Sequence, residues 1–367
     1  MTDPIGVGII GTGNISDAYL RAAAQFPVLR IVACADVNMA AAQAKAAAYG
    51  IAAMEVAALL ADPRIAVILN LTTPQHHVAV GLRALAAGKH VYSEKPLAVE
   101  MAQARELVAA AQAAGLRVGC APDTFLGGAH QTARALVDGG ALGEVVAGSA
   151  TMMVPGHELW HPNPDFYYQS GGGPLLDMGP YYITCLVNMI GPLRAVMGHA
   201  KASHSTRTIG SGPRQGEVFD VQVPTHISGL LEFENGAAVT LTTSFDVWKH
   251  GANHIEIYGR TGSMVVADPN QFEGEVRVAQ GKGDWQTAPQ SHLYGDGNYR
   301  ILGLADMAQA IVSGRPHRAS LALSLHVLEV IEAIMTSAAT GARVTLAHGC
   351  PRPAPMRADL PFGQMDD

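Results

Sequence analysis

The stretch that most constrains this chain runs from Ile5 to Asp36. An apolar run, IGVGII, leads straight into GTGNIS. An Ala-rich segment of helical character follows, and a second apolar run, Ile31 to Ala35, ends on Asp36. Both runs are too short to span a bilayer and fit buried parallel strands. In a strand–turn–helix–strand unit the glycine turn is an anion site. Gly11 permits the tight turn and Gly13 lets the backbone approach a pyrophosphate. The helix opening near Asn14 and Ile15 offers N–H groups and the positive end of its dipole. The third glycine of G-x-G-x-x-G is replaced by Ser16, small enough to keep helix and strand close. Asp36, roughly 20 residues on, is placed to accept hydrogen bonds from an adenosine ribose. Its charge would repel a 2′-phosphate, and Val37 and Asn38 supply no cation, so NAD is expected over NADP. The plainer alternative is a tight turn without a ligand.

The same grammar continues. Helical patterns at 39–49 and 54–61, an apolar run IAVILNL at 65–71 ending in Thr72-Thr73-Pro74, and a helix at 76–87 closed by Gly88 follow one another. A short strand at 90–93, a helix at 97–114 and a strand at 116–121 complete the series. Repeated β-α-β units predict a doubly wound parallel sheet. Beyond Pro122 the pattern changes. A helix at 127–137, a strand at 145–154, a loop rich in Trp, Pro, His and Tyr, and a helix at 180–190 precede an alternating stretch. There THISGLLEFE and AAVTLTTSFDV flank Asn235-Gly236, a hairpin signal. HIEIYGRTGSMVVADP reads as a further strand pair, and helices are expected at 301–313 and 321–339. The expected division is 1–122 as a dinucleotide-binding domain of α/β class and 123–345 as an α+β domain with a large open, mostly antiparallel sheet. Residues 346–367 are expected to form an irregular tail.

Two stretches carry residues suited to proton transfer. Lys95 follows the strand 90–93 and precedes Pro96, at the carboxyl edge where ligands of such sheets bind; the alternative is a solvated Glu-Lys pair. In GGGPLLDMGPYY, residues 171–182, Asp177 and Tyr181 are four apart and share one side of a helix. Gly171 to Gly173 would admit a ligand near the backbone. A phenol near an ammonium group loses its proton more readily, so Tyr181 beside Lys95 would serve as acid and base. The alternative is a capping Asp and a packed Tyr. His157-Glu158-Leu159-Trp160-His161 matches H-E-x-x-H, but Pro155, Pro162 and Pro164 around it disfavour the helix that zinc ligation needs, so no metal is expected. The loop instead offers Trp160, His161 and Asn163 as substrate contacts, or a lid. Asp123 at the expected domain junction is a further candidate for reaching substrate.

GTGNIS, SEKPLA and GGGPLLDMGPYY, in this order, resemble the glucose–fructose oxidoreductase/inositol dehydrogenase/rhizopine-catabolism (Gfo/Idh/MocA) family. TTPQHHVAVGLRALAAGKHVYSEKP, GALGEV and HIEIYGRTGS are similar to its recurring phrases, and the resemblance covers nearly the whole chain. It implies a Rossmann domain plus an open-sheet domain, a nicotinamide cofactor, and hydride transfer on sugars, cyclitols or related alcohols. It also implies that Lys95 contacts substrate and nicotinamide, and that Asp177 orients the reacting hydroxyl. Thr72, Thr73, Pro74, His77 and Glu94 would lie along the cofactor. Most members resembling this pattern have histidine where Tyr181 stands; the tyrosine version is similar to that of glucose–fructose oxidoreductase and dihydrodiol dehydrogenase.

The expected function is therefore an NAD-dependent oxidoreductase acting on a secondary alcohol or ketone of a sugar, cyclitol or glycoside. Alternatives are a redox-neutral lyase, epimerase or glycosidase using transient oxidation, and a non-catalytic NAD-binding sensor. A formal net charge of −7 argues against nucleic acid or an anionic membrane as partner. No apolar run reads as a membrane span and no leader is visible. Cys34, Cys120, Cys185 and Cys350 lie far apart and read as reduced, which points to the cytoplasm. A homodimer or homotetramer is implied by the resemblance.

Overall fold

The computed structural model describes residues 3–367. The chain forms two compact units. One takes the residues through Gly128 together with 291–325 and 353–367; the other takes 129–290 and 326–352.

The first unit begins with β1 (Ile5–Ile10), α1 (Ser16–Ala23), β2 (Leu29–Ala35), α2 (Met39–Tyr49), β3 (Ala52–Ala53) and α3 (Val56–Ala61). It continues through β4 (Val67–Asn70), α4 (His77–Ala86), β5 (His90–Ser93), α5 (Met101–Ala114) and β6 (Val118–Cys120). The strands form one six-stranded sheet in the order β3-β2-β1-β4-β5-β6, and every pairing is parallel. Strands covered on both faces must be apolar throughout, and Val7, Ile9, Val67, Ile68 and Leu69 are fully buried. Strand order reverses between β1 and β4. The turns that leave their carboxyl ends diverge there, opening the crevice in which such sheets bind ligands.

The expected boundary at residue 122 is corrected by the later chain. Helix α8 (Leu302–Ser313) belongs to the first unit, and Ala319 O accepts from Cys120 N at 3.1 Å on the edge of β6. The terminal segment is irregular, as expected, but tied down. Arg318, 4% exposed, donates to Asp306 and Asp366 and to the carbonyls of Ala354 and Pro355. Asp123 is also corrected: it is 1% exposed, and its Oδ2 accepts from the amides of Ile301 at 3.1 Å and Gly303 at 2.9 Å. The carboxylate therefore seats the start of α8, where the helix dipole favours negative charge, and is spent on that task rather than on substrate.

The second unit contains α6 (Gly128–Asp138), β7 (Val145–Met153), α7 (Pro174–Ile190), β8 (Leu193–Lys201), β9 (Thr206–Thr208), β10 (Val218–Asp220), β11 (His226–Phe233), β12 (Ala238–Ser244), β13 (Ile255–Gly259), β14 (Gly262–Val266), β15 (Arg277–Gln280) and β16 (Gln286–Thr287). Helix α9 (Leu321–Thr340) and β17 (Val344–Thr345) end the series. Nine strands run β16-β15-β14-β13-β7-β12-β11-β8-β17, and β9 with β10 forms a separate hairpin. Only β7 and β12 pair in parallel. The Asn235-Gly236 turn joins β11 to β12 in antiparallel register, Glu232 opposite Ala238, with Gly236 at φ +92° as a left-handed turn position requires. Helix α9 is 20 residues long and apolar enough, by length and composition, to cross a membrane, which the sequence reading missed. It packs on the sheet: Ser337 Oγ accepts from Gly198 N at 2.9 Å, and Glu329 takes the amides of Ala347 and His348. These are features of a core helix. The four cysteines are free and buried, as expected.

Asp123 gives the fold a pH signature. Burial pushes its carboxyl up from 3.8 to about 6, against the opposing pull of the Gly303 and Ile301 amides. An acid raised on folding binds more protons in the folded state between those two values, so its contribution to stability declines as pH rises through that window. In urea titrations from about pH 4 to 7, an Asp123→Asn variant is expected to gain on the parent by roughly 2–3 kcal/mol, levelling off above about pH 6. A difference that stays constant across the range would show that the carboxyl is not raised.

Candidate active site

The glycine turn is held by its own side chains. Asp36 Oδ2 accepts from Thr12 N at 2.8 Å and Thr12 Oγ1 at 3.0 Å, and Oδ1 accepts from Asn38 N at 2.9 Å. Burial works to raise the Asp36 pKa, but these donors outweigh it and hold the carboxyl below its ordinary value. The carboxylate is thus held ionised beside the glycine turn, with the Val37 amide as a further donor. Gly11, at φ +101°, is required by the fold: a Cβ there would lie 2.6 Å from Leu71 C and O. Gly13 differs. A Cβ would meet nothing within 4 Å, so no part of the protein accounts for a glycine at this exposed position. The amides of Gly13, Asn14 and Ile15 have no protein acceptor among the described residues. Ser16, fully buried, turns its Oγ back to Gly13 O at 2.6 Å and so locks the turn. An open crest of three amides, a glycine without an internal reason and an ionised carboxylate at the end of β2 fit a dinucleotide: pyrophosphate at Gly13–Ile15, ribose at Asp36.

The neighbouring turn is organised by Asn70, which the sequence reading missed. Its buried amide uses all its capacity: Nδ2 donates to His77 O and Ser93 Oγ, both at 3.0 Å, and Oδ1 accepts from Thr72 N and Thr72 Oγ1. Thr72, Thr73 and Pro74 are thereby set at the carboxyl end of β4. His77 is 1% exposed, with Nδ1 2.7 Å from Pro96 O and Nε2 3.0 Å from Thr72 O. Burial pushes its pKa down, against the opposing pull of those carbonyls. The ring braces the turn from beneath, a different place from the cofactor-lining one expected. Glu94, 9% exposed, is likewise committed inside the unit, to Tyr19 Oη and Lys95 N. Half-buried Lys95 follows, joined to Pro96 by a cis peptide.

In the second unit α7 begins at Pro174, not at Pro180 as expected. Pro174 takes the favoured first-turn place and Pro180 lies inside the helix. Asp177 and Tyr181 therefore occupy successive turns of one face, Tyr181 being 7% exposed. Gly172 is required by a close approach of protein: a Cβ there would lie 2.5 Å from Phe166 O and 2.7 Å from Tyr167 O. That contact seats the aromatic loop against the helix entry. From the loop, His157 Nε2 reaches Asp177 Oδ2 at 3.3 Å, with its ring among Tyr167, Phe245 and Trp160 at centroid distances of 4.4, 4.5 and 5.4 Å. His157 was also missed, although H-E-x-x-H pointed at it. The motif is a single 3₁₀ turn at His157–Leu159, and Glu158 is turned inward onto Arg207 Nη1 at 2.9 Å and the Tyr168 hydroxyl. Arg207 also pairs with Asp246, whose Oδ2 accepts from Thr225 at 2.7 Å. This buried cluster anchors the loop. Trp160 is 59% exposed, and His161 Nδ1 accepts from Asn163 N at 3.1 Å.

The first unit thus carries a dinucleotide cradle with an adjoining lysine, and the second a helix face with a carboxylate, a phenol and an imidazole. Comparison with known proteins agrees. Residues 5–121 match the oxidoreductase family with an NAD-binding Rossmann fold, and residues 130–265 match the GFO/IDH/MocA C-terminal domain. Levoglucosan dehydrogenase of Pseudarthrobacter phenanthrenivorans is 25% identical over 383 aligned positions, covering 91% of this chain and 96% of the relative. D-glucoside 3-dehydrogenase of Escherichia coli is 27% identical over 362, covering 94% and 98%. Among solved structures, levoglucosan dehydrogenase in complex with NADH and L-sorbose superimposes with a TM-score of 0.81 at 22% identity, covering 94% of this chain and 99% of that one. Fold, cradle and both matched domains lead to one assignment: the chain belongs to the Gfo/Idh/MocA family of NAD-binding oxidoreductases.

Proposed function

We propose that this protein is an NAD-dependent dehydrogenase or reductase acting on a secondary alcohol or ketone of a sugar, cyclitol or glycoside. The observation that carries the reading is the proton-handling face of α7, with Asp177 held by His157 one turn from Tyr181. Its sugar-directed half is supported by relatives named for levoglucosan and D-glucosides. Relatives of that kind give no support to a lyase or to a non-catalytic sensor.

In the oxidative direction Asp177 accepts a hydrogen bond from the reacting hydroxyl and fixes its orientation. Tyr181, as its phenolate, takes that proton. Lys95, at the carboxyl edge of the first sheet, supplies a positive charge that favours a developing alkoxide. When bound, the nicotinamide supplies the hydride acceptor. Gly13, Asn14 and Ile15 would hold the pyrophosphate, Asp36 the adenosine ribose, and Thr72, Thr73 and Pro74 would line the dinucleotide. The ionised Asp36 favours NAD over NADP by charge. Trp160 offers an exposed indole face for sugar C–H surfaces, with His161 and Asn163 as hydroxyl partners. Four reduced cysteines suit the cytoplasm, and the open nine-stranded sheet suits pairing into a homodimer or homotetramer.

Two experiments test the reading. With NAD and a panel of levoglucosan, methyl glucosides and inositols, the parent is expected to generate reduced nicotinamide. Tyr181→Phe is expected to lower kcat by about 10²–10⁴ with little change in NADH affinity. Equal turnover by both would remove Tyr181 as the proton acceptor; no turnover by the parent on any member would remove the proposed substrate class. Asp36→Ser should weaken NAD about tenfold, the equivalent of one lost charged hydrogen bond, and narrow or reverse the preference over NADP. An unchanged NAD/NADP ratio would show that Asp36 does not read the ribose.

A further inference from the structure

We propose that Tyr19 is a positioning residue for Lys95, acting from the helix of the glycine turn through Glu94. The inference rests on the reading of Lys95 as a group that meets the substrate. Tyr19 lies one turn into α1, directly after Gly11–Ser16, and is fully buried. Its Oη donates to Glu94 Oε1 at 2.6 Å, while Glu94 Oε2 accepts from Lys95 N at 2.9 Å. Burial, and the Glu94 carboxylate beside it, push the Tyr19 pKa well above its ordinary value, so the phenol stays a donor. The main chain of Glu94 is held as well: its N–H donates to Asn70 O at 2.9 Å and its carbonyl faces Cys120 Sγ at 3.5 Å. On the other side of Lys95, the Pro96 carbonyl meets His77 Nδ1 at 2.7 Å.

Lys95 is therefore bracketed. One bracket leads through Glu94 and Tyr19 to the turn that would carry the pyrophosphate. The other leads through His77 to the Thr72–Pro74 turn. Packing alone does not explain the first bracket, since a Phe opposite a Leu would fill similar space without burying a hydroxyl and a carboxylate. What the polar pair adds is a fixed direction, which carries a small shift of α1 to the lysine backbone. The phosphate-bearing part of the cofactor, seated on α1, thereby sets how Lys95 is presented.

The test reads Lys95 itself. Trinitrobenzenesulfonate labelling of Lys95, followed by peptide mass spectrometry across a range of pH, reports the reactivity and apparent pKa of the amine; Lys89, held by Asp62 O and Ile65 O, is the internal standard. Parent, Tyr19→Phe and Glu94→Gln proteins are compared, each alone and with ADP-ribose, a probe that fills the pyrophosphate and ribose sites but lacks nicotinamide. Calorimetry confirms its binding. Both variants are expected to change the Lys95 rate at least threefold while leaving Lys89 unchanged. ADP-ribose is expected to alter Lys95 labelling in the parent and not in the variants. A Lys95 profile identical in all three proteins overturns the proposal. Changes shared equally by Lys89 also overturn it, because they report general loosening. A parent that does not bind ADP-ribose would instead overturn the cofactor reading, and the ligand-free comparison would still decide the role of Tyr19. Should Tyr19→Phe fail to fold, Glu94→Gln carries the same comparison.

Discussion

The first unit depends on a requirement that parallel sheets impose at their carboxyl ends. The strands stop there, their last peptide groups are buried, and every buried donor and acceptor has to be met by something other than a strand. Asn70 meets most of that demand with one side chain, joining the end of β4 to β5, to the start of α4 and to the Thr72 turn. A single apolar substitution at this position would orphan several groups at once, each at a cost of about 1–3 kcal/mol. The Thr72 turn is thus held by Asn70, as the glycine turn is held by Asp36 and Ser16.

The second unit solves a harder problem, because a loop rich in aromatic rings and prolines has few backbone bonds of its own. Glu158, Arg207 and Asp246 substitute for secondary structure there. Two carboxylates around one guanidinium are costly to desolvate, and such a cluster contributes little net stability compared with apolar packing. Its value is positional: turning Glu158 inward turns the adjacent His157 outward to Asp177. The same alternation shows why the H-E-x-x-H resemblance misleads. Zinc ligation needs both histidines on one helical face, whereas a 3₁₀ turn flanked by proline sends successive side chains in different directions.

The sequence made the cradle legible because each part is a local device. A glycine pair, a strand-ending Asp and an Asn-Gly hairpin each follow from a few adjacent residues. Lys95, Asp177 and Tyr181 stand out as candidates for chemistry through type and spacing. What stayed hidden required knowing the far partner. Tyr19 reads as an ordinary core aromatic until Glu94 is set beside it, 75 positions away. Asp123 looked like a pocket carboxylate because nothing nearby announces that residues 301–303 will be seated on it. Helix α8 shows an apolar face, but amphipathicity does not say which sheet that face covers. The start of α7 was ambiguous for a different reason: Pro174 and Pro180 both suit a first turn, and Gly172, at the helix entry, acts by approaching a loop.

The return of residues 291–325 and 353–367 to the first unit has a consequence for synthesis. A ribosome releases the β1–β6 sheet early, yet the chain that completes its β6 edge, through Ala319 and Ser320, emerges about 200 residues later. For all that interval the edge of β6 is a bare row of donors and acceptors, and Asp123 is a carboxylate without its helix. Asp366, the partner of Arg318, follows later still. The first unit can therefore be completed only after most of the second has been made.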